Sequence, residues 1–294
     1  MSDSEGRTDL PRFLVETGWL EENLSANDLR VFDCTVHLVP DPDTVYRVVS
    51  GREDWENGHI PGAGFLDLQG ELSDRSSALR FTMPSPEQFA DAMSGHGVGP
   101  GSRVVLYDNG TNIWATRIWW MLRAFGFDDA AVLNGGFKKW QAEGRPVATE
   151  PADYPPAGFI ARPRAGLIAD KTQVLAGIGD DATCLINALS AEQHRGEAGR
   201  SYGRAGRIAE SVNLPARDLL DPETNAFLPA DQLRARIGAV GADKADQVIA
   251  YCGGGIAASG VTFALTMLGY DNVSLYDNSL SEWAQDPSLP METG

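Results

Sequence analysis

The chain has 294 residues, 43% of them hydrophobic and 9% aromatic, which is material for about two domains of ~150 residues and excludes a disordered chain. Twenty-four basic against 41 acidic residues leave a net charge of -17 and a pI near 4.6, a field unsuited to nucleic acid or anionic membranes as partners. No apolar run approaches the ~20 residues that span a bilayer, and three cysteines, Cys34, Cys184 and Cys252, are too few for a disulfide framework.

In chain order, Met1 to Arg7 lacks the apolar stretch of a secretory signal. With the free thiols, this points to a soluble, cytoplasmic protein. Val31-Phe32-Asp33 reads as a strand, and Pro86 to Met93 as a helix with proline near its start. Arg103 to Asp108 is a β-rich run that ends in a small-residue turn. Ile113 to Phe125, apolar on most sides, predicts a buried helix. Gly126 to Leu133 leads to a turn and a short helix ending in Trp140. Pro146 to Pro163, with Tyr154-Pro155-Pro156, has a linker's composition.

The series then runs again. Leu185-Ile186-Asn187 matches the first strand, and Gly206-Arg207-Ile208-Ala209-Glu210-Ser211 lies opposite Gly58-His59-Ile60-Pro61-Gly62-Ala63. Pro229 to Ile237 is the proline-led helix, and Gln247 to Cys252 the β-rich run. Ile256 to Leu268 is the buried helix, Gly269 to Tyr276 the next strand, and Asn278 to Trp283 the short helix. Two weakly similar copies of domain size indicate a duplicated domain: residues 8–148, a linker at 149–163, and residues 164–294. Apolar strands alternating with helices predict an α/β fold with a mainly parallel sheet flanked by helices on both faces in each copy. Ligands bind such sheets at the carboxyl ends of the strands.

The chemistry is expected in the turn Tyr251-Cys252-Gly253-Gly254-Gly255-Ile256-Ala257. Cys252 ends a strand, three glycines follow, and a helix starts. Glycines let backbone N–H groups converge on one point, and the helix terminus adds positive potential there. The amides of Gly253, Gly254, Gly255, Ile256 and Ala257 would thus favour a thiolate and cradle a persulfide. Cys34 and Cys184, in or beside strands, read as core residues. In the first copy Asp108 stands at the position of Cys252; a carboxylate can cap the following helix but cannot be a sulfur nucleophile. Gly253-x-Gly255-x-x-Ala258, with Asp277 about 20 residues on, also matches a dinucleotide-binding pattern, although the chain is nearly over where more sheet should follow. A cysteine phosphatase would need arginine where Ala258 stands.

These residues resemble the tandem rhodanese family, which includes thiosulfate and 3-mercaptopyruvate sulfurtransferases. The likeness covers nearly the whole chain: Leu14-Val15-Glu16-Thr17-Gly18-Trp19-Leu20, Gly58 to Ala63, the Cys252 loop, Leu275 to Trp283 and the tail Asp286 to Gly294. It implies transfer of a sulfane sulfur from thiosulfate or 3-mercaptopyruvate, through a persulfide on Cys252, to cyanide or a thiol acceptor, including a redox protein. It also implies a first domain without activity and a site facing it. Arg195 matches the family's substrate-binding arginine, with Arg204 and Arg207 as further candidates. His59 matches a histidine that pairs with a serine in mercaptopyruvate-using members, but Gly254 replaces that serine. Gly253 and Gly254 bring no charge where thiosulfate-using members carry basic residues. Asn187-Ala188-Leu189 replaces the usual Asp-Ala-Arg, and Leu280 a tryptophan. Neither a metal nor an organic cofactor is expected. The remaining alternative is a rhodanese-like module that binds without catalysis.

Overall fold

The computed structural model describes residues 11–41, 44, 46–152, 154–197 and 202–294. The expectation about the N-terminus concerns Met1 to Arg7 and so lies outside the described residues. The first half runs β1 (Leu14–Val15), α1 (Thr17–Asn23), β2 (Leu29–Asp33), β3 (Val36–Val39), β4 (Arg47–Ser50), α2 (Arg52–Asn57), β5 (Ala63–Phe65), α3 (Pro86–Gly95), β6 (Arg103–Tyr107), α4 (Ile113–Ala124), β7 (Ala130–Leu133) and α5 (Gly136–Ala142). The second runs β8 (Ile168–Ala169), α6 (Lys171–Ala176), β9 (Thr183–Asn187), α7 (Ala191–Arg195), β10 (Arg207–Ile208), β11 (Val212–Asn213), α8 (Ala230–Ala239), β12 (Gln247–Tyr251), α9 (Ile256–Met267), β13 (Val273–Tyr276), α10 (Ser279–Trp283) and β14 (Met291–Glu292).

Each half builds a five-stranded, wholly parallel sheet. The orders are β1-β7-β6-β2-β5 and β8-β13-β12-β9-β11, the same arrangement once the repeat is superposed. The central strands are apolar because helices cover both faces: every residue of β6, β7 and β13 is buried. The halves differ by an antiparallel hairpin, β3–β4, in the first, and by an antiparallel β10–β14 pair in the second.

Helices α4 and α9 are apolar nearly all round because they lie between the halves. One continuous core runs through both, joining Trp114, Ile118 and Trp119 to Phe227, Val261 and Phe263. The Trp119 and Phe263 rings meet edge to face at 4.8 Å. Thr116 and Ser259, each the fourth residue of its helix, touch through their hydroxyls at 3.2 Å. Corresponding residues therefore meet on a pseudo-twofold axis. Among its described residues the linker carries no helix or strand, but it is not a loose tether. Its Phe159 is buried in the shared core, Tyr154 packs on Phe32, and Arg162 and Arg164 donate backbone N–H groups to Phe125 and Ala124. No helix among the described residues is long and apolar enough to cross a membrane.

The ends of β2 and β9 provide a test of burial. Asp33 is 2% exposed and accepts from the Thr35 N–H at 2.8 Å. Burial pushes its carboxyl up to about 7, against the opposing hydrogen bonds from Thr35. Asn187 occupies the matching corner and accepts from Leu189 N–H at 2.9 Å without any ionisable group. Because the folded value lies above the unfolded one, the native state holds its proton longer, and stability falls as pH rises toward 7. Relative to Asp33→Asn, the wild type is expected to lose on the order of 3–4 kcal/mol between about pH 4 and pH 8. Urea unfolding of both proteins across that range checks this; parallel stability curves would refute it.

Candidate active site

Cys252 directly follows β12, at the carboxyl end of the second sheet. Three consecutive residues at the start of α10 hold its loop. Ser279 Oγ accepts from the N–H groups of Cys252 at 3.0 Å and Gly255 at 3.2 Å, Leu280 N–H donates to Cys252 O, and Ser281 N–H and Oγ donate to Gly253 O. Gly255 adopts φ +77, a conformation that favours glycine, and a Cβ there would lie 2.7 Å from Asp277 O. The loop's remaining amides, on Gly253 and Gly254, meet no protein acceptor among the described residues. The N-terminus of α9 carries no side-chain cap. The donors next to Cys252 in the chain are thus without a protein anion to satisfy them among the described residues.

The first half shows what this loop geometry accommodates. Asp108 is buried, and its carboxylate accepts four backbone N–H groups: Gly110 at 2.9 Å, Asn112 at 3.0 Å, Trp114 at 3.0 Å and Ala115 at 3.1 Å. Burial raises the Asp108 carboxyl above its ordinary range, and those four amides oppose the rise. In the first half the strand-to-helix turn is therefore an anion cradle filled by its own side chain; the corresponding turn at Cys252 is one residue shorter. The Asp108 loop is also closed from outside: Asn225 of the second half donates to Gly110 O and accepts from Asn112 Nδ2 at 2.6 Å.

Cys252 instead opens into a cavity of about 450 Å³ between the halves. The first half contributes Leu38, Pro40, Tyr46, Phe81 and Ile113; the second contributes Leu189, Gln193 and Tyr202. Tyr202 lies directly on the loop, since a Cβ at Gly253 would overlap its phenol. Tyr46 meets Tyr202 edge to face at 6.4 Å and carries the Arg80 guanidinium over its ring at 5.0 Å. Burial, and after it the charge of Cys252, keeps Tyr46 protonated beyond the usual phenol range. Burial, then Tyr46 and Cys252, does the same for Tyr202. The sulfur thus faces neutral phenols and hydrocarbon. Among the described lining residues no side chain carries a positive charge.

The charged residues expected here are elsewhere. Arg195 does not line the cavity: it pairs with Glu197 at 2.7 Å, half in solvent. On α7, Gln193 takes the inward face, and a residue two places on points away. Residues 198–201, which follow, lie outside the described residues. Arg204 clamps the carbonyls of Trp283, Ala284, Asp286 and Leu289. Arg207 binds Gly294 O at 2.7 Å and Glu292 at 3.1 Å. Both arginines tie down the C-terminal segment. His59 is fully buried in the first half, stacked on Trp55 at 4.6 Å with its ring nitrogens on Trp55 O and Glu150 O. It is a structural residue remote from the cavity lining. Cys34 is fully buried and burial raises its thiol; Cys184, half-buried, is pushed up to about 11 by burial.

The dinucleotide alternative does not fit this geometry. Asp277 would have to meet a ribose, yet its oxygens are taken by Arg117 at 2.6 Å and Met83 N–H at 2.8 Å. The Tyr202 ring covers Gly253, where a pyrophosphate would have to approach. Among the described residues no group of three or more His, Cys, Asp or Glu is placed to hold a metal ion.

The chain matches the rhodanese-like domain family at residues 16–143 and again at 171–286. It is 34% identical over 286 residues to a probable 3-mercaptopyruvate sulfurtransferase of Pseudomonas aeruginosa, covering 96% of this chain and 98% of that one. It is 33% identical over 283 residues to the thiosulfate sulfurtransferase of Mus musculus, covering 93% and 92%. The crystal structure of SseA from Escherichia coli, described among 3-mercaptopyruvate sulfotransferases, superposes with a TM-score of 0.81 at 30% identity, over 92% of this chain and 100% of that one.

Proposed function

The chain belongs to the rhodanese family and is a sulfurtransferase, and from that premise we propose that Cys252 is the residue that carries the sulfur. One observation bears most of the weight: beside Cys252 the Gly253 and Gly254 amides and the uncapped start of α9 meet no protein acceptor among the described residues, where the first-half turn, one residue longer, gives four amides to the Asp108 carboxylate. A persulfide anion is the charge that such donors would stabilise. Residues 164–294 are then the catalytic half, and residues 8–148 the half that carries Asp108 and supplies one wall of the site. The free thiols suit a reducing compartment such as the cytoplasm.

The apolar cavity favours 3-mercaptopyruvate over thiosulfate as donor, because a monoanion is less costly than a dianion to seat among uncharged walls. The Cys252 thiolate attacks the donor's thiol sulfur, the carbon–sulfur bond breaks, and its electron pair leaves on carbon as pyruvate enolate, which takes a proton. The persulfide then gives its outer sulfur to an acceptor: cyanide leaves as thiocyanate, a thiol as a persulfide, and Cys252 is a thiolate again. A second cavity of about 320 Å³ shares Ile113, Leu189, Gln193 and Ala257 with the first and gives the acceptor a side approach.

Steady-state assays with cyanide should show a kcat/KM at least about tenfold higher with 3-mercaptopyruvate than with thiosulfate. Equal values, or a preference for thiosulfate, would reverse the donor assignment. Intact-mass measurement after donor treatment should show one added sulfur on the wild type; its absence with both donors would remove the persulfide reading itself.

A further inference from the structure

The pseudo-twofold between the halves is broken beside Cys252. On each side, a turn of one half donates an amide to the residue that ends a strand in the other. Phe227 N–H binds Asn134 Oδ1 at 2.8 Å, and Met83 N–H binds Asp277 Oδ2 at 2.8 Å. On the Asp108 side the contact is neutral, and the matching position of α9 is Gly260, with no side chain to add. On the Cys252 side the corner is Asp277, and the matching residue of α4 is Arg117. Its side chain is fully buried, with Nη1 2.6 Å from Asp277 Oδ1.

This ion pair joins three segments. Arg117 Nη2 donates to Phe81 O at 2.6 Å, fixing a residue held at φ +64 whose side chain lines the cavity. Asp277 holds Met83 of the same first-half turn. Both partners close on the cradle: a Cβ on Gly255 would lie 2.7 Å from Asp277 O and 3.1 Å from Arg117 Nη1. The guanidinium spends only Nη2 on a hydrogen bond, since Nε and Nη1 make none with good alignment, although the side chain is wholly buried. Burying a cation in this way costs desolvation that the attraction within the pair need not repay, so its place here is accounted for by what it positions. The half that lacks the nucleophile does without it.

We propose that Arg117 is a positioning residue supplied by the first domain, which, through Asp277 and Gly255, sets the Cys252 cradle and, through Phe81, the wall opposite it. The first domain is then a working part of the site. This rests on the reading of Cys252 as the sulfur carrier.

The test is the double substitution Arg117→Met with Asp277→Asn, which removes the pair without stranding a charge and gives the corner the Asn found at position 134. Sulfur loading of Cys252 is followed by rapid quench and intact mass, for the wild type, the double variant and Leu20→Ala. Leu20 lies in the separate core on the outer face of the first sheet and serves as a stability control. Each protein is assayed at the same interval below its own Tm. The double variant should load about ten- to a hundredfold more slowly, the range expected when a reacting group is misplaced by a fraction of an ångström to an ångström, while Leu20→Ala loads like the wild type. Arg117→Lys, which keeps charge without the fork, should recover part of the rate. Loading by the double variant within twofold of the wild type overturns the proposal, as does an equal slowing in Leu20→Ala. A wild type that never gains sulfur fails the persulfide reading instead.

Discussion

Cys252→Ser is expected to abolish sulfur transfer, lowering kcat by roughly four or more orders of magnitude, the scale on which loss of a covalent nucleophile is felt. The substitution is nearly isosteric at a site 2% exposed, so the fold should persist and Tm should move little. A hydroxyl in the same cradle cannot form a persulfide, and the mass gain of one sulfur should vanish with the activity. Cys34→Ser and Cys184→Ser should leave both intact, because neither side chain lines the cavity. Retention of sulfur loading in Cys252→Ser would transfer the role to another group.

Asp108→Ala should be the most destabilising single change in the first domain's loop, by about 2–4 kcal/mol, since it strands four buried N–H donors at once. Asp108→Asn should recover little, because its amide NH₂ would face donors where the carboxylate had only acceptors. Chemical denaturation measures both, and a loss below about 0.5 kcal/mol for Asp108→Ala would show that the amides find water instead. Installing a thiol at that position by Asp108→Cys, in the Cys252→Ser background, should restore no transfer. Asn225 covers the first loop, whereas Cys252 has an open cavity. Amides alone do not make the site; access is the other half of it.

What could be read from the sequence followed local chemistry. The strands ending at Asp33 and Asn187, the strands Arg103–Tyr107 and Gln247–Tyr251, each one residue short of the run expected for it, and the helices beginning at Ile113 and Ile256 are set by short apolar runs and the turns beside them. The Cys252 loop was visible for the same reason. The walls of the cavity were not. Tyr46 and Phe81 share a cavity with Cys252, and Arg117 lies against Asp277, because the two halves pack, with contacts between residues more than a hundred positions apart. That Arg195 pairs with Glu197, and that Arg204 and Arg207 lie on carbonyls of the C-terminal segment, could not be read from spacing to a motif. The β3–β4 hairpin was missed as well, and with it the Leu38 and Tyr46 it carries to the mouth of the cavity. The linker's composition said little of its Phe159, whose burial is decided by the groove it meets.

The meeting of Thr116 with Ser259 has a consequence for ancestry. Like touching like across an axis is the signature of an isologous dimer, so the two halves pack as a pair of identical subunits would, now held on one polypeptide. In such a dimer both turns would have been equal. Once covalently fused, one partner was released from the need to react and could become a fixed counterpart, contributing a wall, a guanidinium and a closed mirror image of the working loop.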